Sequence, residues 1–97
     1  MHHIELDATK WKTVSDFYDA LLSALGSPEW HGRNINALVD SMIFGGINEI
    51  SPPYTIRISG ISRAPKDVRN HIELAEKSIL EARPEFYGVD IEFKTVA

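Results

Sequence analysis

The sequence predicts an α/β fold, a small three-stranded parallel sheet packed with helices. Three short stretches alternate apolar and polar residues at period two, and between them apolar residues recur at helical spacing. With 97 residues and 43% apolar composition, the chain can bury about two-thirds of its unfolded surface. That is enough for one domain over residues 1–97 and too little for two.

The first stretch, "HIEL", sets Ile4 and Leu6 on one side and His3 and Glu5 on the other, as in a strand with one face on a core. "TVSDFYDALLSALG" follows as an amphipathic helix. Val14, Phe17, Leu21, Leu22 and Leu25 form its stripe, Ser15 is the expected N-cap, Asp16 suits the first turn and Gly26 the stop. A second, short helix opens at Asn34 as its cap. Ile35, Leu38, Val39 and Met42 fall at i, i+3, i+4 and i+7 and face inward. Asn36 and Asp40 share a different, outward face, with Ile43 and Phe44 close to it at the far end. Gly45 and Gly46 end this helix, and "EISPPY" is a loop.

"YTIRIS" alternates Tyr54, Ile56 and Ile58 with Thr55, Arg57 and Ser59, and "VDIEF" alternates Val89, Ile91 and Phe93 with Asp90 and Glu92. Between these strands Val68, Ile72, Ala75, Ile79 and Ala82 mark one face of a long helix, with Pro65 in its first turn and Pro84 as its stop. Glu73 and Lys77 make an outward i, i+4 pair. Right-handed crossovers in this order give a parallel sheet, and because all three strands alternate, the helices cover chiefly one face.

Composition excludes several kinds of chemistry. There is no cysteine, hence no disulfide, thiolate nucleophile or Cys-based zinc site. Ten Lys and Arg scattered among fourteen acids leave a net charge of -4, which disfavours a general nucleic-acid binder. The amino terminus lacks the basic start and apolar run of a signal peptide, and no stretch approaches the roughly 20 apolar residues of a membrane span. The expectation is a cytoplasmic protein without metal or cofactor. His2 and His3 point to opposite faces of a strand, and the Gly45–Gly46 pair follows a helix instead of cradling a phosphate before one.

The stretch "PEWHGRNINALVDSM", residues 28–42, is the unusual part. Trp30 is either a partial core plug or an interface anchor. His31 could be imagined with Asp40 as an acid-base pair, but a lone histidine in an aromatic loop is more often a packing or hydrogen-bonding residue, and the same holds for His71. Asn36 and Asp40 stand either as solvated residues or as part of a binding face.

Residues 15–42, "SDFYDALLSALGSPEWHGRNINALVDSM", resemble the barstar family of intracellular ribonuclease inhibitors: a Ser-Asp helix start, Pro-Glu-aromatic, Gly, Asn, Ala-Leu, then Asp. The strand, long helix and "GVDIEF" ending fit the family's layout. The resemblance implies a non-enzymatic antitoxin, or immunity protein, monomeric when free, that plugs the active site of a cognate ribonuclease with the loop and second helix around residues 29–46. It implies toxin contacts at Trp30, His31, Gly32, Asn34, Asn36 and Asp40, with Phe44 beside them and Glu81 at the end of the long helix. Asp40 would occupy the site of the RNA phosphate. Asn36 stands where the family usually has a second acid, Val39 where an aromatic is usual, and Arg33 adds a cation, which implies a different toxin surface. The alternative is an interaction or regulatory domain of the same fold whose partner is not a ribonuclease.

Overall fold

A computed structural model of the chain describes residues 2–44, 47–50, 52–82 and 91–97. Strand β1 (His2–Asp7) leads to helix α1 (Val14–Leu25) and to the short helix α2 (Ile35–Val39), which continues as a π-helical turn, Asp40–Phe44. Strand β2 (Tyr54–Ser59), a single 3-10 turn (Ile61–Arg63), helix α3 (Lys66–Ala82) and strand β3 (Ile91–Thr95) complete the order. The sheet runs β1-β2-β3, and both pairs are parallel.

Its register puts like beside like. Ile4 lies opposite Ile56, and Ile56 opposite Phe93, so one face carries a continuous apolar row. Ile4, Tyr54, Ile56, Ile58, Ile91 and Phe93 are buried there against Phe17, Leu21, Leu38, Val68, Ile72 and Ile79 from the helices. The opposite face shows His3, Glu5, Arg57, Glu92 and Lys94 to solvent, with Arg57 Nη1 3.7 Å from Glu5 Oε1. This one-sided burial follows from topology. Two crossovers of one hand between strands in the order 1-2-3 lay both connections on the same face. The strand predicted at 89–93 is observed as Ile91–Thr95, and Val89, Asp90, Gly45, Gly46 and Pro84 lie outside the described residues.

Helix α1 starts differently from the expectation. Thr13, not Ser15, is the N-cap: its hydroxyl accepts from Asp16 N at 3.3 Å, while Asp16 Oδ2 accepts from Lys12 N at 2.8 Å and Thr13 N at 3.1 Å. This reciprocal box satisfies donors that a cap at Ser15 would leave open. These amide donors hold the Asp16 carboxyl below its usual range. Thr13→Ala is expected to lower stability by about 1 kcal/mol in urea denaturation. An equal loss in Ser15→Ala would contradict the assignment.

At the other end Gly26 adopts φ 67°, with Gly26 N bonded to Ser23 O and Ser27 N to Leu22 O, a Schellman termination. The last carbonyls of α1 are not left to solvent. Gly26 O accepts from Glu49 N and Leu25 O from Ile50 N, each at 3.1 Å, which pins residues 47–50 to the end of the helix. Helix α3 closes over α1 through Tyr18 and His71, whose Oη and Nε2 lie 2.6 Å apart. Burial pushes the Tyr18 hydroxyl up to about 12, so it keeps its proton and donates to the neutral imidazole. Burial also pulls His71 below the usual histidine value.

A histidine that resists protonation in the folded state contributes stability that is full above its unfolded value of about 6.5 and is lost as pH falls below it. Denaturation midpoints are therefore expected to drop as pH falls through about 6.5. The drop should be absent in His71→Phe. An unchanged slope in that variant would assign the effect elsewhere.

Candidate functional site

The loop from Pro28 to Arg33 is built around an inward-pointing histidine. His31 is 6% exposed, and its backbone N–H is bonded to Pro28 O at 3.0 Å. Its Nδ1 lies 2.7 Å from Gly32 O, which can only accept, so the ring proton sits on Nδ1. Nε2 is then the acceptor for the Ser41 hydroxyl at 2.7 Å. The ring joins the loop to the π turn ten residues on. A serine bonded to a histidine has the outline of a nucleophile and its base, but Ser41 is 1% exposed, and no substrate can reach its oxygen.

With His31 turned in, its neighbour is turned out. Trp30 is 74% exposed, which decides between core plug and interface residue in favour of a surface position. Gly32 has no left-handed backbone; a Cβ there would come within 3.1 Å of Ala37 Cβ and of Asn34 Nδ2, so the glycine allows the loop to press on α2. Asn34 caps α2 as expected, its Oδ1 accepting from Ala37 N at 2.8 Å. Trp30, His31, Gly32, Ala37, Asp40 and Ile47 together line a cleft of about 160 Å³. That is room for a side chain of a partner and less than the roughly 300 Å³ at which small-molecule pockets begin.

The π turn shapes what α2 presents. Leu38 and Met42 are fully buried, and Asn36 and Asp40 are exposed on one row. Ile43, expected near that outward row, is 3% exposed. A π turn advances each residue through a smaller angle than the about 3.6 residues per turn of an α-helix, so Ile43 lags behind the Asn36–Asp40 row and turns toward Leu38 and Met42.

A family profile described as Barstar (barnase inhibitor) matches residues 1–96. The chain belongs to the barstar family. No curated protein matches it. Barstar-family proteins are inhibitors of a ribonuclease and not enzymes, in keeping with a site that presents an exposed indole and a carboxylate around a cleft of side-chain size.

On this barstar-family chain the residues proposed from sequence divide. Trp30, His31, Gly32 and Asp40 meet at the cleft; Asn34 and Asn36 lie on the adjoining, exposed surface of α2. His31, read from the sequence as a packing or hydrogen-bonding residue and from the resemblance as a toxin contact, is buried and braces the loop through Ser41. Phe44 closes the π turn, and its side chain lies outside the described residues. Glu81, in the last turn of α3, does not line the cleft, and Lys77 Nζ lies 4.0 Å from it; the predicted pairing of Lys77 with Glu73 is replaced by this one. Arg33 is turned away onto α1: Nη2 donates to Asp19 at 2.6 Å and to Ser15 O at 2.7 Å, and the guanidinium lies 5.8 Å from the Tyr18 ring centre. Its charge is offset there. Ile47, Ala37 and Ser41 were missed, although an apolar residue directly after a glycine pair is a signal that could have found Ile47. No helix among the described residues is long and apolar enough to cross a membrane.

Proposed function

We propose that this protein is an immunity protein that binds a cognate ribonuclease toxin in the cytoplasm and covers its active site with the loop and helix around residues 29–46. Membership of a family of ribonuclease inhibitors supports the class of partner. The observation that carries the site is an indole 74% exposed beside an exposed carboxylate on a shared cleft, backed by the buried His31 brace. Ribonucleases gather Lys, Arg and His around the RNA phosphate, so a fixed carboxylate can take the place of that phosphate through charge-assisted hydrogen bonds. Asp40 fills that role. Trp30 supplies the desolvated anchor, Asn34 and Asn36 polar complementarity, and Glu81 and Phe44 belong to the periphery.

The test is capture of the partner on immobilised protein, followed by RNA cleavage with and without an excess of free inhibitor. Loss of cleavage at equimolar inhibitor is expected. A captured partner without ribonuclease activity, or one that cleaves RNA unhindered while bound, would reject the reading in favour of an interaction domain with another target. Trp30→Ala is expected to weaken binding by about tenfold or more without moving the thermal midpoint, because an exposed ring carries little folding energy.

A further inference from the structure

The loops that follow β1 and β2 meet at the carboxyl ends of their strands, where open parallel sheets hold their ligands. They are pressed together: Ala8 N donates to Ser59 O at 2.8 Å, and a Cβ on Gly60 would collide with the Thr9 methyl. Thr9, Lys10, Trp11, Lys12, Arg63 and Pro65 line a cleft of about 630 Å³ there. This volume falls within the roughly 300–1,000 Å³ of small-molecule sites, unlike the cleft at Trp30, with which it shares no residue.

Its charge is unlike that of the rest of the molecule. The cations are not scattered as the sequence suggested, since five of the ten, Lys10, Lys12, Arg63, Lys66 and Arg69, fall in these two loops and the first turn of α3. Arg33, Arg57 and Lys77 each have a carboxylate within 4.0 Å; among the described residues none of the five does. Asp67 shares the first turn of α3, exposed and without an ion pair among the described residues, while Asp7 and Asp16 are turned to the backbone, Asp7 Oδ1 accepting from Thr9 N at 2.9 Å and Asp16 Oδ2 from Lys12 N and Thr13 N. Trp11 adds an aromatic wall, itself held against Phe17 with ring centres 5.9 Å apart.

We propose that this cleft binds a mononucleotide, with its phosphate on Lys10, Lys12 and Arg63 and its base stacked on the Trp11 indole. Unpaired cations beside an aromatic face match a phosphate joined to a flat ring system. A nucleic-acid strand is the poorer fit. Tracking several phosphates needs a long basic stripe, and this patch is short and set in an acidic surface.

The test uses ¹⁵N-labelled full-length Trp30→Phe, which leaves Trp11 as the single indole of the two in the chain. A nucleoside monophosphate, inorganic phosphate and a short oligoribonucleotide are titrated in turn while the indole N–H resonance is followed. A saturable shift is expected with the nucleotide at millimolar concentration. Lys10→Gln/Lys12→Gln/Arg63→Gln, all exposed positions, should weaken it about tenfold or more with an unchanged thermal midpoint. No shift, an equal affinity for inorganic phosphate, or markedly tighter binding of the oligonucleotide would each overturn the proposal. None of these outcomes bears on ribonuclease binding at Trp30 and Asp40.

Discussion

Asp40→Ala is expected to reduce affinity for the ribonuclease by about 30-fold or more, roughly 2 kcal/mol, and to leave the thermal midpoint within about a degree of the parent. The barnase–barstar interface itself contributes to the upper end of the range for such residues. Asp40 is exposed, and among the described residues its carboxylate makes no hydrogen bond or ion pair, so removing it takes nothing from the folded chain. In the complex the same group would leave a cluster of cations desolvated and unanswered, and that asymmetry makes the effect large. Asp40→Asn separates charge from shape. It should retain the fit at the cleft and still lose most of the affinity, with a weaker dependence of the association rate on salt. Titration calorimetry showing parent affinity for Asp40→Ala would remove Asp40 from the interface.

His31→Ala is expected to act on both quantities at once. The variant empties a site beneath the loop and leaves the Ser41 hydroxyl and the Gly32 carbonyl without their 2.7 Å partners, a loss of about 2–4 kcal/mol in stability. Binding should fall as well, because Trp30 is presented by a loop whose inward residue is gone. Ser41→Ala removes one of the two bonds and should cost about 1 kcal/mol. The double variant should cost less than the sum of the two, since both report on one bond. Additive losses would mean that the bond to Ser41 contributes nothing and that the ring braces the loop by packing and its bond to Gly32. A His31→Ala protein that is destabilised and yet binds as tightly as the parent would show that the loop needs no brace to present its tryptophan.

The parts of the fold that repeat a simple period could be read directly. Tyr54, Ile56 and Ile58 alternate into the core, and Val68, Ile72, Ala75 and Ile79 line α3, because burial on one side selects one residue type at one spacing. Caps were harder. Ser15 is by residue type the better cap, and only the reciprocal bond that Thr13 N donates to Asp16 decides for Thr13. Lys77 has a glutamate four residues to either side, so spacing alone could not choose Glu81 over Glu73.

At the site, the outward direction of Asn36 and Asp40 followed from helical spacing, and His31 was legible as a packing or hydrogen-bonding residue, whereas its partner, a hydroxyl ten residues away, is announced by no local pattern. The π turn was hidden for the opposite reason. Ile35, Leu38, Val39 and Met42 fit a regular α-helix so well that nothing in the pattern asks for a change of winding, and only the burial of Ile43 reveals it.

That widened turn has an evolutionary corollary. Because the extra residue is absorbed behind Asp40, the segment can gain or lose a position there without rotating the row proposed to meet a partner, and the hydrophobic anchors can drift in size on their own side. On that proposal recognition and packing, carried on one short piece of chain, are uncoupled, and new specificities can arise at Asn36 and Asp40 while the interior stays as it is.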